Sequence, residues 1–173
     1  TAFLIKALPE VLKRFPTFNA SIDMDNLQLS LKKYYNIGVA VDTENGLLVP
    51  NIRSVDQKNV TDISVEMAEL AKKARDRKLT LEEMRGATFT VSNLGGLGGY
   101  AFTPIINAPE VAILGVSRSV VEPVYLDGEF QPRLMLPLSL SYDHRVIDGA
   151  DAARFLRFLC DALAQPWQLL LGA

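Results

Sequence analysis

His144 is the only histidine of the chain, and it stands in Ser139-Leu-Ser-Tyr-Asp-His-Arg-Val-Ile-Asp-Gly149, between a strand-like run and an apolar run at helical spacing. Such a junction can hold a side chain rigidly while leaving it open to a substrate. A neutral imidazole in a fixed tautomer is the side chain best suited to take a proton near neutral pH. A lone histidine is more often a surface or packed structural residue, so the residue type alone does not make it a base. Asp143, Arg145 and Asp148 supply charges that could order the imidazole. Asp148 also stands where the next helix needs an N-cap, with Asp151 in an acidic first turn, and capping alone would account for it.

A second segment with chemical potential is Thr88-Phe-Thr-Val-Ser-Asn-Leu-Gly-Gly-Leu-Gly-Gly99, where a strand delivers Ser92 to a glycine-rich loop. Glycines let backbone approach closely, so the loop can wall a narrow channel; an exposed serine in a tight turn is the plainer alternative. Gly96-Leu-Gly-Gly-Tyr-Ala101 fits the loose form of a dinucleotide fingerprint, but that fingerprint needs a helix after the glycines, and Pro104 and Pro109 break one. The Gly-x-Ser-x-Gly elbow of serine hydrolases is absent. Cys160 lies beside the apolar stripe of the last helix and reads as a small packed residue rather than a nucleophile.

The elements that must position these residues are written in the periodicity. Leu4, Ala7, Leu8, Val11 and Leu12 predict a helix that ends near Arg14, with a kink at Pro9. Ile37 to Val41 and Leu47 to Ile52 predict a hairpin turned at Asn45-Gly46. Ile63, Met67, Leu70 and Ala74 mark one face of a helix from about Thr61 to Lys78, whose basic end suits the helix dipole. A short helix from Leu81 to Met84 follows Thr80 as N-cap. Strands are expected at Thr88 to Ser92, Val111 to Val116, Val121 to Leu126 and Leu134 to Tyr142; Pro137 puts the last at a sheet edge or bulge. Ala152, Phe155, Leu156, Leu159 and Leu163 predict a final helix that stops near Gln165-Pro166.

With 173 residues, 49% of them hydrophobic and 22% charged, the chain can bury one real core. A formal charge of −2 leaves no excess of cations for a phosphate backbone or an anionic membrane, so neither nucleic acid nor membrane is an expected partner. One cysteine excludes an internal disulfide and any zinc site built on several thiolates, and fits a reducing compartment, bacterial cytoplasm or mitochondrial matrix. The first residues, Thr-Ala-Phe-Leu, show no initiator methionine and already carry the helical pattern. An internal start is expected, with residues 1–173 forming one domain that lacks its N-terminal part.

Four stretches in order, Gly38-Val-Ala-Val-Asp-Thr-Glu-Asn-Gly-Leu-Leu-Val-Pro50, Phe89-Thr-Val-Ser-Asn-Leu-Gly95, Phe102-Thr-Pro-Ile-Ile-Asn-Ala-Pro-Glu-Val-Ala-Ile-Leu-Gly115 and Ser139 to Gly149, closely resemble the catalytic domain of dihydrolipoamide acyltransferases, the E2 core enzymes of 2-oxo acid dehydrogenase complexes. The resemblance implies an α/β fold, a chloramphenicol-acetyltransferase-like two-layer sandwich with a mixed sheet. It implies His144 as general base, Asp148 holding the active-site loop through a salt bridge, and Ser92 stabilising an oxyanion. Phe102 would line the coenzyme A side of a channel, with Ile105 and Leu114 lining the lipoyl side; core packing is an open alternative for the last two.

The substrates so implied are coenzyme A and lipoamide, with no metal, and with the lipoyl group carried on a domain absent from this chain. The partners implied are two further copies in a homotrimer, assembling into a 24- or 60-subunit core. Dehydrogenase (E1) and dihydrolipoamide dehydrogenase (E3) subunits would bind through missing domains. His144 of one subunit would face Ser92 of its neighbour, so that no single subunit is active. The stretch from Ser92 to Phe102 resembles the members from pyruvate complexes most, which favours acetyl transfer over succinyl or branched-chain transfer. A noncatalytic core subunit is the rival from another class.

Overall fold

Apolar residues repeating along Ala2–Arg14 make α1, which buries Leu4, Ile5, Leu8, Val11 and Leu12 and runs through a buried Pro9. The structure is a computed structural model and describes residues 1–166. A 3-10 turn at Pro16–Asn19 leads into a hairpin of β1 (Ala20–Asp23) and β2 (Gln28–Leu31), which the periodicity did not announce. The strands β3 (Ile37–Thr43), β4 (Gly46–Leu48) and β5 (Asn51–Ile52) follow. The expected hairpin is present, but its second strand is divided between β4 and β5, which pair with different halves of β3. Its loop is Glu44-Asn45, and the positive φ of +111° falls on Gly46 alone.

Helix α2 (Val60–Arg75) is capped by Asn59, whose side chain accepts from the Asp62 amide. The helix expected at Leu81 to Met84 is instead a pair of turns. Its cap formed nonetheless: Thr80 Oγ1 accepts from the Glu83 amide at 3.2 Å while Glu83 accepts from the Thr80 amide at 2.9 Å. This reciprocal capping box closes one turn, too short a stretch to propagate as a helix.

Next come β6 (Phe89–Asn93), β7 (Ala112–Val116), β8 (Val120–Leu126), β9 (Glu129–Met135), β10 (Leu138–Tyr142) and α3 (Gly149–Ala164). The single strand expected from Leu134 to Tyr142 is two strands in two sheets. Pro137 has no N–H to donate to a ladder, and the chain changes partners there: β9 pairs with β8 in a separate hairpin, while β10 joins β7. The alternating leucines before Pro137 are therefore not one buried face; Leu134 is 71% exposed.

The main sheet runs β10-β7-β6-β3, with β4 and β5 sharing the far edge of β3. Strands β3, β6 and β7 are parallel and β10 is antiparallel to β7, so the sheet is mixed, as expected, and β10 lies at an edge. Phe89, Val91, Ala112 and Leu114 point to one face, where α1, α2 and α3 cover them in a single core. Phe155 of α3 stacks on Phe18 with centroids 4.2 Å apart and meets Phe89 at 5.8 Å. That aromatic cluster ties α3, which follows His144, to β6, which carries Ser92. Thr90, Ser92 and Gly115 point to the other face, which has no helix.

Candidate active site

The His144 loop is braced on both sides. Upstream, the Asp143 amide donates to Val111 O at 2.8 Å, and the Asp143 carbonyl accepts from the amides of Val146 and Ile147 at 3.0 Å. The Asp143 carboxylate accepts from the Arg145 amide at 3.0 Å and from the Arg145 guanidinium at 2.6 Å. That hydrogen-bonded guanidinium holds the Asp143 carboxyl below the usual carboxylate range. Downstream, Ile147 is buried in the core. Asp148 caps α3, its Oδ1 accepting from the Asp151 amide at 2.9 Å. Between these anchors His144 is exposed. Among the described residues it makes no hydrogen bond, and its ring neighbour is Tyr142 at 5.5 Å. A neutral imidazole held this way has its unprotonated nitrogen open to an incoming proton donor.

Asp148 thus takes the capping role that local physics assigns it. The salt bridge implied by resemblance is not made within the chain: among the described residues Asp148 has no ion pair.

Ser92 is the fourth residue of β6 and only 8% exposed. After it, Asn93 turns the chain, its Oδ1 accepting from the Gly95 amide at 2.9 Å, and the segment beyond the glycines brings Phe102 and Pro104 against Gly115 on the helix-free face. No helix follows these glycines, which removes the dinucleotide alternative. Pro104 is buried and Phe102 half-buried, both against Gly115 of β7. An open cleft of about 400 Å³ adjoins the ends of β6 and β7, bordered by Asn93, Gly96, Ser117 and Arg118.

Sheet register fixes the distance between the two candidates. Ser92 pairs with Gly115, whereas Tyr142 pairs with Ala112, three residues lower on the same strand. Three residues along a strand and two strand spacings place the Cα atoms of Tyr142 and Ser92 roughly 14 Å apart, and His144 lies beyond the end of β10. An imidazole cannot span that gap. Within one chain the structure does not bring His144 and Ser92 together.

Ile105 is 89% exposed, which removes core packing as its explanation. Leu114 is fully buried on the helix-covered face, opposite Ser92, and belongs to the core rather than to an open channel wall. The sequence reading did not single out Glu110, which is 6% exposed beneath the same helix-free face. Burial raises its carboxyl to about 6, with Thr90, Asn107 and Lys32 pulling the other way. Glu110 Oε1 accepts from Asn107 Nδ2 at 3.3 Å, while Glu110 Oε2 reaches no hydrogen-bond partner among the described residues. The acid between Pro109 and Val111 in an otherwise apolar run was the available signal. Among the described residues no group of three or more His, Cys, Asp or Glu side chains is placed to hold a metal ion. No described helix is long and apolar enough to cross a membrane.

The family model for the 2-oxoacid dehydrogenases acyltransferase (catalytic domain) matches residues 1–171. The chain is 60% identical over 170 residues to the dihydrolipoyllysine-residue acetyltransferase component of the pyruvate dehydrogenase complex of Cupriavidus necator, matching 98% of this chain and 30% of that protein. It therefore spans under a third of that relative's length. The fold superimposes at a TM-score of 0.95 and 57% identity on dihydrolipoamide acetyltransferase of Azotobacter vinelandii, solved to examine the role of a serine, a histidine and an asparagine in its mechanism; 98% of this chain and 70% of that one are covered. The same figures hold for the cubic core of a pyruvate dehydrogenase multienzyme complex. Chloramphenicol acetyltransferase matches at a TM-score of 0.60 and 16% identity, over 92% of this chain and 75% of that one, a likeness of fold alone.

Proposed function

The chain belongs to the 2-oxoacid dehydrogenases acyltransferase (catalytic domain) family, and from that premise we propose that it transfers an acetyl group between dihydrolipoamide and coenzyme A as part of a pyruvate dehydrogenase core. One observation carries the assignment of residues. The serine, histidine and asparagine studied in the Azotobacter vinelandii enzyme are separated by 52 and 4 positions. Ser92, His144 and Asp148 have the same separations, with aspartate in place of the asparagine.

His144 takes the proton from the attacking thiol, because the thiolate is the nucleophile and a free thiol with a pKa of about 8.5 is mostly protonated at neutral pH. The sulfur attacks the thioester carbonyl, and the Ser92 hydroxyl donates to the resulting oxyanion, a contribution of roughly 3 kcal/mol in comparable acyl-transfer enzymes. Collapse expels the other sulfur, which recovers the proton from His144. No acyl-enzyme forms. Asp148 acts by capping α3 and so holding the loop. Phe102, against Gly115 beside Ser92, and the exposed Ile105 are assigned to the two approaches, coenzyme A and lipoyl respectively.

Because one chain separates its base from its hydroxyl, the reaction is assigned to the junction of two copies in a trimer. Supporting this, Val121, Tyr125, Phe130 and Leu134 of the β8–β9 hairpin are exposed, a large apolar surface for an isolated chain. Assembly into a larger core follows the cubic-core likeness. The lipoyl group, and contacts with the dehydrogenase and dihydrolipoamide dehydrogenase subunits, are assigned to other domains of the whole protein. Bacterial cytoplasm is its proposed location, as the named relatives are bacterial.

The test is acyl transfer to dihydrolipoamide by the full-length protein, with acetyl-, succinyl- and isobutyryl-coenzyme A compared. Preference for acetyl supports the proposal. Preference for either larger acyl group would move the protein to a sister complex, and no transfer from any would leave a structural core subunit.

A further inference from the structure

Gly115 is buried in the middle of β7, where a residue without a side chain contributes nothing to packing and costs backbone entropy. Its φ is not among the positive ones, so conformation does not demand glycine. Space does. A Cβ built on Gly115 would lie 2.9 Å from Phe102 Cζ, 3.1 Å from Phe102 Cε1 and 3.2 Å from Pro104 Cδ. The first contact is closer than a real Cβ tolerates, so the ring of Phe102 and any side chain at 115 exclude each other.

The register makes this seat more than local packing. Gly115 is the pairing partner of Ser92 on the adjacent parallel strand, and the two residues face the same side. The ring thus rests on the strand next to the one that presents the Ser92 hydroxyl, the two backbones lying about 5 Å apart. Phe102 is half-buried, so part of the ring stays open on the side where Ser92 acts.

We infer that Gly115 is a positioning residue for the thioester site: its missing side chain seats Phe102 beside Ser92, where the ring walls the space in which the thioester carbonyl meets the serine hydroxyl. This rests on the acyl-transfer reading above. The wall fixes the thioester before any proton moves, so its displacement falls on substrate binding more than on the chemical step.

The test uses the full-length protein with acetyl-coenzyme A and dihydrolipoamide, and a double-mutant cycle between Gly115→Ala and Phe102→Leu. Leucine lacks the Cζ and Cε1 atoms that collide with a Cβ at 115. Gly115→Ala alone is expected to raise KM for acetyl-coenzyme A about tenfold with kcat changed by less than about twofold. Added to Phe102→Leu, it is expected to change KM no further, because the two ring atoms closest to the new Cβ are gone and Pro104 Cδ at 3.2 Å need give way by only a few tenths of an ångström. An equal KM penalty in both backgrounds, an unchanged KM in Gly115→Ala, or a loss confined to kcat overturns the inference. If Gly115→Ala alone does not fold, a folded double variant with the kinetics of Phe102→Leu supports it, and a double variant that also fails to fold overturns it. Wild-type protein inactive toward every thioester would instead count against the acyl-transfer reading.

Discussion

The two ends of the central sheet are built to opposite specifications. At the foot of β10, His144 is exposed and, among the described residues, without a hydrogen bond, while the backbone around it is pinned by Asp143, Ile147 and Asp148. Near the top of β6, Ser92 is buried beside Gly115, on which Pro104 and Phe102 rest. A base must be open to a proton donor and keep no competing partner; a hydrogen-bond donor to a developing charge works best where water is excluded. On the acyl-transfer reading proposed above, each end supplies half of the apparatus, and the register keeps the two ends of one chain apart.

The largest way to break the contrast is at the open end. His144→Ala should lower kcat for acetyl transfer by about 100- to 10,000-fold with no loss of thermal stability, because the side chain is exposed. Near-normal turnover would remove His144 as the base. At the sheltered end, Ser92→Ala should slow turnover by about 100-fold or more. A variant with full activity would reduce Ser92 to a strand residue.

Glu110 sharpens the comparison by asking how dry the sheltered face is. Its folded value of about 6 lies above the ordinary 4.5, so protonated Glu110 stabilises the fold fully below pH 4.5. That contribution is lost as pH rises through about 6. Lys32, the charged group facing it, is itself lowered by burial. The unfolding free energy of wild type minus that of Glu110→Gln should therefore fall by roughly 2 kcal/mol between pH 4 and pH 7.5, as a shift of this size implies. A difference that is flat with pH would mean that water reaches the carboxyl.

The smallest effect is expected at Asp148. Asp148→Ala should cost about 1 kcal/mol through the lost cap, whereas Asp148→Asn, an equally good cap, should keep both stability and turnover. If Asp148→Asn loses activity while folding normally, the charge matters and an ion pair with a neighbouring copy is indicated.

Much of this arrangement was legible in the residues, and its gaps have physical causes. The helices α1, α2 and α3 follow apolar spacing and caps that act locally, and the Asp148 cap was readable from its own sequence. The break at Pro137 was misread because Leu134, Leu136, Leu138 and Leu140 alternate without interruption, while the partners of the two halves are set by distant strands. The β1–β2 hairpin was missed because Gln28 to Leu31 is exposed and short, with no buried face to leave a pattern. His144 and Ser92 were visible as residue types, but their separation is a property of register. Gly115 and Glu110 matter through what lies against them, Phe102 in one case and Thr90 and Lys32 in the other, and no local pattern encodes that.

The most direct measurement mixes two inactive proteins. Full-length His144→Ala and Ser92→Ala variants are unfolded together, reassembled as mixed trimers and assayed for acetyl transfer. If each site draws its histidine from one copy and its serine from the next, an equal mixture should recover about a quarter of wild-type activity, since each intact group is drawn independently. Verified mixed trimers that stay as inactive as the parent variants would contradict a site shared between chains.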